Sequence, residues 1–166
     1  MHWRHGSDHA GIPAVTIREA RPTDVSAISD LLGELGYPQA GQAATADRIR
    51  AWAEDPSRAA YVAEEGNDLL GLVAVHICPF FERDGSWGRI VALVVSEPAR
   101  GRGVGSQLVA AAESFTGTRG CLRMEVTSSD RRHGAHDFYR RHGYVDQAGR
   151  SRRFLRELPD SSRDAG

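Results

Sequence analysis

Six residues, Arg100-Gly101-Arg102-Gly103-Val104-Gly105, follow the apolar run Ile90-Val91-Ala92-Leu93-Val94-Val95 and open an amphipathic stretch, the order of a strand, an anion-binding loop and a helix. Glycines at alternate positions let the main chain approach a diphosphate without side-chain obstruction. A helix opening there aims unpaired N–H groups and its positive dipole end at the anion. The ligand this arrangement suits is a phosphorylated cofactor. Two familiar phosphate loops do not match it. A P-loop needs four residues between its glycines and then Gly-Lys-Ser/Thr, and no lysine stands near. A dinucleotide fingerprint needs Gly-x-Gly-x-x-Gly straight off the first strand, whereas here Ser106 fills the third-glycine slot and Pro98 separates strand from loop. Glu125 stands at a spacing that would suit a ribose contact, but only one crossover is evident, and two helices and a hairpin precede it.

The elements that must position this loop follow from periodicity. Residues 15–20 read as a first strand, and after Pro22 a helix carries Val25, Ile28, Leu31, Leu32 and Leu35 on one face until Gly36, Tyr37 and Pro38 stop it. A second helix is expected from about Thr45 to Asp55-Pro56, with Ile49, Trp52 and Ala53 inward. Residues 59–64 and 69–78 form a hairpin through Glu65-Gly66-Asn67-Asp68, and residues 79–88 read as a loop carrying Phe80, Phe81 and Trp87. The nearly all-apolar residues 89–95 suit a central strand covered on both faces. From Val104, Leu108, Ala111, Ala112 and Phe115 recur at helical spacing, and Gly117 and Gly120 close the helix before a strand at 121–127. That strand, helix, strand unit predicts a right-handed crossover between parallel strands. A last helix at about 134–141 leads through His142-Gly143 to a final strand near 152–158.

At 166 residues the chain suits one domain, with residues 1–13 as a leader, 14–158 as the domain and 159–166 as a tail. A net charge of −1 provides no general attraction for nucleic acid or an anionic membrane. Cys78 and Cys121 have neither disulfide-framework nor zinc spacing and are expected to be reduced core thiols. His2, His5 and His9 in the leader are not assigned to a metal, and no metal is expected. No apolar run is long enough to span a membrane, so a cytoplasmic protein is expected.

The loop also satisfies Arg/Gln-x-x-Gly-x-Gly/Ala through Arg100, Gly103 and Gly105, and downstream stands Ala135-His136-x-Phe138-Tyr139-x-x-x-Gly143-Tyr144. With both motifs in this order the chain resembles the GCN5-related N-acetyltransferase superfamily over about residues 15–158. The resemblance implies a mixed α/β (α+β) fold with a mostly antiparallel sheet of six to seven strands. A parallel splayed pair lies in its middle, and about four helices pack on both faces. It implies acetyl-coenzyme A as cosubstrate. Arg100, Gly101, Arg102, Gly103, Val104, Gly105 and Ser106 would surround its pyrophosphate, and Leu93, Val94 and Val95 would flank pantetheine, with the main chains of Leu93 and Val95 pairing to it like an added strand. Ser128 and Phe138 would line the cofactor side of the cleft.

Tyr139 matches the family's usual general acid, which protonates the departing thiolate; a phenol with an ordinary pKa of roughly 10 starts in the required state. The base is open. Many relatives carry a Glu on the central strand, but Arg89-Ile90-Val91-Ala92 has no carboxylate. His76, Glu82, Asp84 and His136 are candidates by position, with Glu82 and His136 assigned to the catalytic set, and a water chain is an alternative. The acceptor, a small-molecule or amino-acid-type amine, should lie against the first two helices and the 79–88 loop, where Phe80, Phe81 and Trp87 with Glu82 and Asp84 would suit a cation. Alternatives are a protein or peptide amino group as acceptor, a larger acyl donor, and a non-catalytic acyl-coenzyme A sensor. Homodimerisation is common in the family and would suit exposed aromatics such as Trp52 or Trp87.

Overall fold

The structure is a computed structural model that describes residues 14–127 and 133–160. They belong to two compact units, one ending at Thr127 and the other beginning at Ser128.

The first unit is built on five strands, β1 (Thr16–Glu19), β2 (Arg58–Glu65), β3 (Asp68–Pro79), β4 (Ser86–Val95) and β5 (Met124–Val126), in the spatial order of the sequence. The first four pair antiparallel, and β4 and β5 are parallel. Helices α1 (Val25–Leu35) and α2 (Gln42–Glu54) cover one face, where Ile28, Leu31 and Ile49 pack with Val62, Leu72 and Val94. Helix α3 (Val104–Gly117) covers the other. Its Leu108 is wholly buried, and removing such a side chain from water contributes roughly 2 kcal/mol. The fold class is thus the expected one, with a mostly antiparallel sheet, a parallel pair and helices on both faces.

Four sequence expectations are corrected. The described sheet has five strands rather than six to seven: among the described residues, 152–158 form no strand, and Phe154, Leu155 and Leu158 are exposed. Alternating apolar and charged residues favour a strand only where an edge accepts its hydrogen bonds. The loop is shorter than residues 79–88: β3 runs to Pro79, β4 starts at Ser86, and Phe80 N donates to Gly85 O at 3.0 Å across a six-residue tip. Trp87 and Gly88 therefore belong to the sheet. Strand β5 is three residues long, and Cys121 lies before it; both cysteines are free, and burial pushes the Cys78 thiol up, so it remains a thiol. Helix α2 starts at Gln42 and leaves Ala53 exposed.

Close packing around β4 explains its glycine. A Cβ on Gly88 would fall on Thr116 of α3 and Met124 of β5. Gly88→Val is expected to cost about 1–3 kcal/mol through overpacking, read as a lower urea midpoint.

The first strand is tied down by charge. Arg18 donates to both carboxylate oxygens of Asp24 at 2.8 Å and to Glu64 at 2.8 Å, and these hydrogen bonds hold Asp24 below its ordinary value of 3.8. The stabilisation from Asp24 is complete above that value and is lost as pH falls through the lower folded one. Asp24→Asn is expected to lower stability at neutral pH and to flatten its decline as pH falls below the ordinary Asp24 value of 3.8, measured by urea midpoints across the acid range.

The second unit contains α4 (His133–Arg141), whose last turn ends at Gly143 with φ of 85°. Tyr144 N donates to Tyr139 O at 3.0 Å there, folding the following chain back on the helix end.

Candidate active site

The site is built on a change of pairing along β4. At its start Gly88 N donates to Arg123 O and Ser86 O accepts from Leu122 N, both at 2.9 Å, so these residues face β5. The last β4–β5 pair is Ile90 with Val126. Val91 is then an extra residue, lying between the pairs Val75–Ile90 and Ala74–Ala92, and it is half exposed. Such a bulge reverses the alternation of the strand. Beyond it Ser96 N donates to Leu70 O at 2.8 Å, on the β3 side. Alternation then turns the N–H and C=O groups of Leu93 and Val95 away from β3, toward the space that β5 has left. Among the described residues no strand pairs with β4 there. The parallel pair that the resemblance implied is present, and the main chains of Leu93 and Val95 face the space beside it, the fork of β4 and β5. Val94 is different: its side chain is buried in the core beneath α1 and α2.

This edge runs into the glycine loop through a 3₁₀ turn at Glu97–Ala99. Gly101 and Gly103 have φ of 80° and 79°, and a Cβ on either would meet nothing within 4 Å. Conformation, not crowding, selects glycine here, and open space lies before the loop. Gly103 caps α3 with no side-chain cap bond, and Gln107 N is the first to donate back, to Gly103 O at 3.2 Å. The N–H groups of Val104, Gly105 and Ser106 thus have no intrahelical acceptor, the usual condition of a helix start. Val104 itself is core, 1 % exposed. Arg100 Nε donates to Val95 O at 3.3 Å, on the open side of β4, and Arg102 forms an ion pair with Glu65 that raises its pKa. Each of the two arginines thus already has a partner within the chain.

On α4, Phe138 and Tyr139 are half-buried, with rings 5.4 Å apart edge to face, and Tyr139 meets the edge of Tyr144 at 5.8 Å. His142 Nδ1 donates to Phe138 O at 2.8 Å and its ring stacks on Phe138. His136, also half-buried, lies one helical turn before Tyr139. Ser128 lies outside the described residues, as does the histidine-bearing leader.

Glu82 and Asp84 stand exposed at the β3–β4 hairpin tip. From Ser86 to the bulge the strand advances roughly 16 Å, so the tip is far along β4 from the fork. The tip aromatics hold cations of the chain's own. Phe80 stacks on Trp87 at 4.9 Å while the Arg83 guanidinium lies 4.1 Å over Phe80, and Phe81 is fully exposed. Trp87 Nε1 is buried without an acceptor among the described residues.

Sequence reasoning missed a polar row beside the fork. Strand register aligns Arg58, His76, Arg89 and Glu125 across β2, β3, β4 and β5. They share the α1/α2 face, since Arg58 alternates with Val62, His76 with Leu72, and the Arg58 guanidinium lies 5.5 Å over Trp52 of α2. A carboxylate does stand beside Arg89, contributed by the neighbouring strand. Glu125 was visible in the sequence, but only three-residue parallel pairing puts it there. Among the described residues no three His, Cys, Asp or Glu side chains converge as a metal site would need. An open cleft of about 330 Å³, lined by Ile17, Tyr61, Phe115 and Arg119, lies at the β1 edge, four strands from the fork.

Comparison with known proteins bears on this geometry. Residues 26–144 match the model of the Acetyltransferase (GNAT) family. The chain is 31 % identical over 134 residues to an aminoalkylphosphonate N-acetyltransferase of Salmonella typhimurium strain LT2, covering 80 % of this chain and 86 % of that one. Among solved structures, a transcriptional regulator from Bacillus halodurans C-125 superposes with a TM-score of 0.76 at 24 % identity, over 87 % of this chain and 99 % of that one. AAC(6')-Iy in complex with the bisubstrate analogue CoA-S-monomethyl-acetylneamine superposes with a TM-score of 0.75 at 18 % identity, over 88 % and 99 %.

Proposed function

From the premise that the chain belongs to the acetyltransferase (GNAT) family, we propose that it moves the acetyl group of acetyl-coenzyme A to a primary amine of a small-molecule or amino-acid-type acceptor, by direct attack with both substrates bound. The observation that carries this reading is the unpaired β4 edge leading straight into a positive-φ glycine loop at the start of α3. The residues fit the donor. Leu93 and Val95 offer main-chain donors and acceptors to the amides of pantetheine, as an added strand would use them. The N–H groups at the start of α3, with the loop beside them, offer the pyrophosphate an anion site, and the 79–80° φ of Gly101 and Gly103 keeps that side clear. An amide donating to Val95 O would displace the Arg100 side chain and free it toward phosphate.

Acetyl-coenzyme A supplies the activated thioester. Main-chain N–H groups at the fork donate to its carbonyl oxygen as negative charge develops there, and Tyr139 gives its proton to the leaving sulfur. The amine loses its own proton to water or a nearby base, so the products are the amide, free coenzyme A and one proton. The relative's acceptors, aminoalkylphosphonates by its name, support a small-molecule amine over a protein N-terminus.

The test is thiol release from acetyl-coenzyme A with a panel of small amines, amino acids and peptides. Saturable release with small amines is expected. Turnover only with peptides would move the acceptor to protein, and preference for propionyl- or succinyl-coenzyme A would change the donor. Tight coenzyme A binding with no turnover across the panel would sink the enzyme reading and leave a sensor.

A further inference from the structure

We propose that the polar row beside the fork anchors the acceptor, and that the acceptor is a small amine carrying an anionic group, with Arg89 holding the anion and Glu125 the ammonium. This rests on the acetyl-transfer reading, but its evidence is separate. Arg18, Arg58 and Arg89 are the half-buried arginines among the described residues. Arg18 is neutralised by Asp24 and Glu64, and Arg58 lies 3.4 Å from Asp55. Among the described residues Arg89 has no carboxylate within ion-pair distance, although Glu125 is its register partner on the next strand. Its partner is a hydroxyl, Thr127 Oγ1, at 3.4 Å.

A partly desolvated guanidinium without a counter-charge is costly, and a carboxylate or phosphonate that takes its fork bidentately relieves that cost. The position suits an acceptor. Arg89 and Glu125 sit one residue before the last β4–β5 pair, so both lie at the base of the fork and on the face opposite α3. Adjacent strands are about 4.8 Å apart, so a ligand bridging the two side chains has its amine and its anion separated by a short chain. His76, on the other side of Arg89, is near Cys78 Sγ at 3.8 Å and adds a third polar group to the same row.

The experiment measures kcat/KM and, with coenzyme A present, calorimetric affinity for 2-aminoethylphosphonate and β-alanine against ethanolamine and ethylenediamine. The wild-type protein is expected to favour the anionic amines. Arg89→Gln should lower kcat/KM and affinity for them by about 10–100-fold, the loss of a charge-assisted bidentate contact, and leave the two amines without an anionic group within about threefold. Arg89→Lys should recover only part, because a point charge replaces the fork. Glu125→Gln should weaken all four amines. Arg50→Gln, an exposed arginine of α2 paired with Asp47 and outside the row, should not alter the anionic preference. Thermal melting checks that each variant folds. Acetylation without preference for anionic amines, or an Arg89→Gln loss equal for acceptors with and without an anionic group, overturns the anchor while acetyl transfer stands. Calorimetric binding of the anionic amines, lost in Arg89→Gln but without acetylation of any amine, upholds the anchor and overturns the transfer reading instead.

Discussion

Tyr139→Phe is expected to lower kcat by about 10²–10⁴-fold, the usual contribution of a positioned general acid, while the KM for acetyl-coenzyme A stays within about twofold. The asymmetry follows from what the substitution removes. The ring keeps its edge contacts with Phe138 and Tyr144, so α4 should retain its packing, and thermal stability should change little. What is lost is the phenolic hydroxyl and with it the acidic proton. Without it the thiolate must leave unprotonated, which raises the barrier without disturbing a cofactor contact. A rate that survives in Tyr139→Phe with the wild-type pH profile would show that the leaving group takes its proton elsewhere, with His136 of the same helix as the next variant to make.

Gly103→Val is expected to raise the KM for acetyl-coenzyme A by about 5–150-fold with a smaller effect on kcat. Gly103 has φ of 79° at the cap of α3, where a β-branched residue costs about 1–3 kcal/mol, and the loop would relieve that strain by moving its N–H groups off the anion. Because an added Cβ meets nothing within 4 Å, strain rather than collision sets the expected loss. Gly103→Asn separates the two effects. Asparagine tolerates this backbone conformation and should recover thermal stability, yet its side chain enters the space before the loop and should leave coenzyme A affinity low. Calorimetric titration with coenzyme A reads both variants. Unchanged affinity in both would remove the loop from the binding site.

Much of the fold was legible because its signals are local. The helical spacing of Ile28 and Leu31, and of Leu108, Ala112 and Phe115, gave α1 and α3 with their buried faces, and Gly66 in the β2–β3 turn has the positive φ its position required. Strand ends were less legible. Trp87 and Gly88 read as loop because Gly85 and Gly88 are turn residues by composition, yet Gly88 is in the sheet for want of room beside Thr116. The apolar residues of 152–158 suggested a strand, but pairing is a property of an available edge and not of the segment.

The sequence by itself determined the glycine loop, the crossover that presents it and the motif on α4, since positive-φ glycines and helical periodicity are set by neighbours within a few residues. Tertiary structure decided the rest of the site. The extra residue at Val91 reverses the alternation of β4 and exposes Leu93 and Val95 to the fork, and parallel pairing brings Glu125 beside Arg89 from 36 positions away. It also gave Arg18 and Arg102 carboxylate partners distant in sequence, Glu64 and Glu65, and left Arg89 with a hydroxyl. Charge pairing is settled by which side chains the register aligns, and cross-strand register is not written in either strand alone.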